Sequence, residues 1–234
     1  MISRLKKGVC IVHFLKPYLI CALILLAMFL ISRILIRLVF FFTKLRFFAD
    51  GVATISAVAA YMICRFGEDA VFSNRYFPSG DGGYEKIPLI VVMRSGIAVI
   101  EARQTAGTVS TEGDTWRVSR TNRYGEVRSA EFPDPSLENE IHMDILASLF
   151  QNARFRKIPR IAPITVMPTE RIRFHGIVPK ELVSPMTLPR RLGELERGKP
   201  LSKEERRAII ALLERTARTR RQIPPERDSK RRHP

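Results

Sequence analysis

Cysteine is nearly missing from this chain. Its three residues, Cys10, Cys21 and Cys64, all lie in the apolar N-terminal part, and none follows. That excludes a disulfide framework or a cysteine metal site beyond residue 64, and it fits a reducing compartment. Acid is also scarce. Asp and Glu number 23 against 39 Lys and Arg, a formal charge of +16 with a pI near 10.5. Such a surplus favours a polyanionic partner, either nucleic acid or an anionic membrane face. A positive-inside signal with solvated tails produces the same balance. Internal repeats are absent too, which excludes a solenoid or array. The 234 residues leave room for one ordinary domain and an extra segment.

One long apolar run is present, close to the start. From Pro17 to Phe42 it is broken only by Ser32, Arg33 and Arg37. A helix of that length spans roughly 39 Å at about 1.5 Å per residue, more than the ~30 Å hydrocarbon core. Arg33 and Arg37, one turn apart, can reach the headgroups by snorkelling. A second run, Phe47 to Cys64, is bounded by Arg46 and Arg65; its length is close to the lower limit for a span. The apolar region is too long for a signal peptide and no small-residue cleavage site precedes a mature start, so a signal peptide is a poor reading. Two spans, 17–42 and 47–64, form a transmembrane hairpin. Arg4, Lys6, Lys7 and Lys16 in the basic segment 1–16, with Arg65 after it, place both ends in the cytoplasm. Lys44 and Arg46 in the connecting loop argue the other way.

Past Phe66 the composition is that of a soluble α/β domain. Ser79-Gly-Asp-Gly-Gly83 reads as a loop, so 66–83 is expected to be a linker. Ile87–Met93 and Ile97–Ala102 read as strands joined by the tight turn Arg94-Ser-Gly96. Trp116–Ser119 and Glu126–Ala130 form a second pair around Asn122-Arg-Tyr-Gly125. Leu137, Ile141, Ile145 and Leu149 recur every four residues and mark a helix after Asp134-Pro135. Ile161–Met167 is a further strand. Ser202-Lys-Glu-Glu205 is a capping box opening a helix with Ile209, Ile210, Leu212 and Leu213. From Arg218 to Pro234 the chain is too basic and too poor in apolar residues to order itself.

The second strand ends Ile100-Glu101-Ala-Arg103, an acid followed two residues later by a base. Across the turn, the first strand opens Ile87-Pro88-Leu89, with Gly96 between them. Gly107, Trp116 and Asp134-Pro135-Ser-Leu-Glu138-Asn139, then His142, follow at set spacings. In this order and register the chain resembles the nuclease-related domain (NERD) family over residues 84–217. That family has a restriction-endonuclease-like mixed sheet with flanking helices. The resemblance implies that Glu101, Arg103 and Glu138 mark the inherited catalytic site, with Glu101 as the tentative metal ligand. It also implies that Pro88 stands where the family has Asp, Arg103 where it has Lys, and Glu138 where it has Gln.

A metal-dependent phosphodiesterase needs at least two carboxylates on Mg²⁺. Proline offers none, and a guanidinium binds phosphate but is not a compact, tunable amine. Proline also gives nothing to a sheet ladder, so Pro88 is expected at a strand start or on an edge. The site therefore looks degenerate. The expected protein is a non-catalytic DNA- or protein-binding module anchored at the cytoplasmic face of a bacterial inner membrane. Arg103, Asn139, His142, Arg218, Arg220 and Arg221 would face nucleic acid, and no cofactor is required. Two alternatives remain. One is an active Mg²⁺-dependent nuclease in which Asp81 or Glu85 supplies the displaced acid. The other is a structural part of a DNA-transfer or secretion assembly, with partner proteins in the envelope.

Overall fold

A computed structural model describes residues 20–36, 38, 53–80, 82–111, 113–155 and 157–223. The chain divides into two units, Met1–Leu45 and Arg46–Pro234. In the first, residues 20–36 form helix α1 with its apolar side chains exposed all round. Among the described residues no helix is long and apolar enough to cross a membrane. Both ends of the expected span 17–42 lie outside the described residues.

The second expected span, 47–64, is overturned. Its described part is helix α2 (Ile55–Phe66), twelve residues capped by the Thr54 side chain, which accepts from the Ala57 amide. Val58, Ala59, Tyr61 and Met62 are buried on a sheet, not offered to lipid. Ala and Val at helical spacing serve a domain core as well as a bilayer, and twelve residues are too few to span one. The expected transmembrane hairpin therefore fails.

A five-stranded mixed sheet forms the centre, in the order β1 (Val71–Pro78), β2 (Tyr84–Val92), β3 (Ile97–Ala102), β7 (Ile161–Val166), β9 (Leu182–Val183). Strands β1, β2 and β3 are antiparallel neighbours; β3, β7 and β9 run parallel. Helices cover both faces, as strands buried on two sides require. On one face, α2 and α4 (Leu188–Glu196) pack against Leu89, Val91, Ala98, Ile100 and Ile164. On the other, α3 (Pro135–Asn152) and α5 (Lys203–Thr216) cover Ile87, Ile90, Val92, Ile97 and Val99. A second sheet, β6 (Val127–Pro133), β5 (Thr115–Thr121), β4 (Gly107–Ser110), β8 (Ile172–His175), closes over Trp116, Val109 and Met167.

The turn between β2 and β3 must be glycine. Gly96 has φ +151°, and a Cβ there would collide with the Arg160 carbonyl oxygen, which accepts from the Ile97 amide. The capping box at Ser202 is complete, with Glu205 and Ser202 bonding each other's backbone.

Three further expectations are corrected. Residues 66–83 are not a linker, because they hold β1, paired with β2 from Val71↔Val91 to Pro78↔Tyr84. Its polar centre, Ser73-Asn-Arg75, hides the strand from an apolar pattern, while Phe72 and Phe77 are buried. The chain beyond Arg218 is ordered as far as Ile223: Arg218 exchanges both backbone hydrogen bonds with Tyr76 on β1, and Thr219–Gln222 is a capped turn. Residues 224–234 of the expected tail lie outside the described residues.

Pro88 lies inside the central strand β2, neither at its start nor on an edge. The sheet accommodates it with a local defect. Its cross-strand neighbour Asn74 sits at φ 50° and drops out of the β1–β2 pairing. The β2–β3 ladder stops at Ile90↔Val99 before reaching Pro88. The side-chain alternation slips there as well, for Ile87 and Ile90 share one core while Leu89 faces the other.

Candidate functional site

Strand β3 carries the site because its alternation sends Ile97 and Val99 toward α3, and Glu101 follows in the same phase. Pairing with β7 places Glu101 beside Thr165. Helix α3 begins at Asp134, whose side chain accepts from the Ser136 amide, with Pro135 at the first helical position. Its first turns then bring Glu138, Asn139 and His142 to the end of β3.

Glu101 is 4% exposed. Its Oε1 lies 3.1 Å from Arg103 Nε without the alignment of a hydrogen bond, and its Oε2 is buried with no hydrogen-bond partner. Burial pushes its pKa up to about 7; the charges of Arg103 and Lys86 pull it down, and that of Glu138 adds to the rise. Arg103 turns its other edge to Glu138, donating from Nη2 to Oε2 at 2.6 Å. One guanidinium thus links the acid at the end of β3 to the acid on α3. Its flat face also lies 5.8 Å from the Phe132 ring centroid.

Asn139 and His142, expected at the nucleic-acid surface, are both buried beneath the site. The Asn139 amide nitrogen donates to Ile164 O and Thr165 Oγ1, fastening α3 to the strand beside Glu101. Burial of the His142 ring lowers its pKa to about 4, opposed by a hydrogen bond to the Lys86 backbone. Its Nδ1 has no partner. Arg218 lies away from this group, bonding Arg215 O and Ala217 O, and Arg220 and Arg221 sit in the turn that follows. The structure therefore gathers Glu101, Arg103 and Glu138 with the two buried α3 residues, and leaves the C-terminal arginines elsewhere.

A divalent cation does not fit this donor set. Arg103 already holds its charge between the two carboxylates, and Pro88 carries no oxygen donor. Among the described residues no group of three or more His, Cys, Asp or Glu side chains is arranged to hold a metal. Of the acids considered as replacements, Asp81 lies outside the described residues. Glu85 is on β2, where its backbone faces Phe77 of β1.

Sequence reasoning missed Arg120 and Arg128. They stand directly opposite each other in the β5–β6 hairpin and line a pocket that Arg103 also borders. Counting outward from the Asn122–Gly125 turn would have found the pair.

Residues 52–168, half of the chain, match the family model described as nuclease-related domain. The match begins just ahead of α2 and ends just after β7. It therefore takes in the helix whose composition suggested a membrane span. No curated protein and no solved structure matches the chain.

Proposed function

The chain belongs to the nuclease-related domain family, and on that premise we propose that it binds nucleic acid through phosphate contacts without cutting it. Its apolar N-terminal stretch holds it at the cytoplasmic face of a membrane. The observation that carries this reading is the guanidinium of Arg103 lying between Glu101 and Glu138. Where hydrolysis needs a cation to activate water and neutralise a phosphate, this chain supplies a fixed organic cation. That cation attracts phosphate but cannot ionise a bound water. The two acids keep the arginine in place, and Asn139 and His142 hold the helix that presents Glu138.

Net charge adds to the reading, because a surplus of +16 draws a polyanion from a distance. Anchoring rests on the run 17–42, whose described residues 20–36 are helical and apolar apart from Ser32 and Arg33. A single span puts its two flanks on opposite sides of the membrane, so the cytoplasmic placement rests on the nucleic-acid reading of the domain and not on flanking charge.

The test is a cleavage assay on the full chain with duplex and single-stranded DNA, in Mg²⁺ and in Mn²⁺, with Glu101→Ala alongside. No cleavage attributable to Glu101 is expected, together with binding that weakens steeply as salt rises. Cutting that needs a divalent cation and vanishes in Glu101→Ala would overturn the non-catalytic reading. Deleting residues 17–42 should move the chain from the membrane fraction to the soluble fraction; retention in the membrane would overturn the anchor.

A further inference from the structure

The β5–β6 hairpin treats its two faces differently. On one face Arg117 stands opposite Glu131 and bonds it twice, at 2.9 and 2.7 Å, a complementary cross-strand pair. On the other face Arg120 stands opposite Arg128. Like charges directly opposite each other destabilise a sheet unless something of opposite sign joins them. Neither arginine has an ion pair among the described residues, and the Arg128 side chain makes no hydrogen bond among them either.

These two arginines and Arg103 border one pocket of about 430 Å³, and no carboxylate lines it. That volume falls within the about 300–1,000 Å³ of small-molecule sites. Arg120 is held in position by donating from Nε to Ala106 O at 2.6 Å, and its Nη2 reaches Thr105 Oγ1 at 3.4 Å. Phe132 and Val118 supply an apolar wall on the same hairpin face. The pocket thus sets Arg120 and Arg128 at one end and Phe132, with the Arg103 guanidinium over its ring, at the other, with Val118 between them.

We propose that this pocket binds a nucleotide phosphate, with Arg120 and Arg128 gripping the phosphate and the base resting against Phe132 and Val118. The ligand is either a free nucleoside monophosphate or the phosphorylated end of a strand. Guanidinium groups suit phosphate because their forked donors match its oxygens. The shared anion also relieves the repulsion between the two arginines. The proposal deepens the phosphate-binding reading of the domain and rests on it.

Calorimetric titration of the full chain with AMP, adenosine and inorganic phosphate tests it. Anisotropy with a labelled oligonucleotide carrying a 5′-phosphate or a 5′-hydroxyl provides the second arm. AMP or the 5′-phosphorylated strand should bind at least tenfold more tightly than its unphosphorylated counterpart. Arg128→Gln, a change at an exposed side chain, should weaken that binding about tenfold, with Arg128→Lys in between. Whichever source binds more tightly identifies the ligand. Equal binding of phosphorylated and unphosphorylated probes would overturn the proposal, as would an Arg128→Gln variant that binds like the wild type. If hydroxyl-ended duplex DNA still binds while those tests fail, the pocket is refuted and the general binding reading stands. Loss of all DNA binding by the wild type would sink both.

Discussion

Replacing Glu101 by Gln keeps the shape of a buried side chain and removes its titration, which makes a sharp prediction about stability against pH. Burial raises the folded-state pKa of Glu101 from near 4.5 to about 7. The unfolded chain therefore releases that proton first, so stability falls as pH rises from 4.5 through 7. At about 1.36 kcal/mol for each pH unit of displacement, the loss is about 3 kcal/mol. His142 acts in the opposite direction. Its folded pKa, lowered from 6.5 to about 4, makes stability fall as pH drops through that window, also by about 3 kcal/mol. Between pH 4.5 and 6.5 the two slopes offset each other in the wild type. Urea unfolding of the full chain and of Glu101→Gln across pH 4.5–8 should expose the His142 slope. Relative to the wild type, the variant should gain about 3 kcal/mol between the acid and alkaline ends. Two profiles that run parallel would refute the reasoning, because Glu101 would then titrate alike in folded and unfolded chains.

Met62→Ala should cost about 2–5 kcal/mol of domain stability, because Met62 is fully buried against the sheet. A lipid-facing residue would show no such loss in urea unfolding. Asn139→Ala removes two hydrogen bonds to β7 and should cost about 1–3 kcal/mol. It should weaken DNA binding more than a surface change does, as read by anisotropy. Ser202→Ala breaks the capping box of α5 and should lower stability by about 1 kcal/mol, leaving the DNA affinity unchanged.

The strands and helices with a clean apolar pattern are legible in the sequence: β3, β7, the β5–β6 hairpin and the capped helix α5 all fall where their residues point. The start of the domain is not. In α2, Ala and Val satisfy a sheet surface as readily as a bilayer, and only the packing of Val58 and Met62 distinguishes the two. In β1, Ser73-Asn-Arg75 interrupts the alternation just where Asn74 bends away from Pro88. Helix α3 shows itself by a four-residue repeat, yet Leu137 and Ile141 of that repeat are exposed. A four-residue step drifts off a 3.6-residue turn. The buried line instead runs Pro135, Asn139, His142, Leu146, Phe150, with polar residues where it passes the site.

Within the site, Glu101, Arg103 and Glu138 can be named from sequence, because strand end and helix start lie at readable positions. Their linkage through one guanidinium cannot, since it depends on how α3 crosses the sheet. The Arg120–Arg128 pair depends on hairpin register, which the turn sets and composition does not.

The central claim is that Arg103 serves where a metal ion would, so that DNA is held without one. Its most direct test is duplex DNA binding by the full chain, measured by anisotropy over a salt series in EDTA and again in Mg²⁺, with Arg103→Gln in parallel. The account predicts equal affinity in EDTA and at low Mg²⁺ once ionic strength is matched, a steep fall with salt, and weaker binding by Arg103→Gln. Binding that collapses in EDTA and returns with Mg²⁺, or an Arg103→Gln variant that binds as well as the wild type, would contradict it.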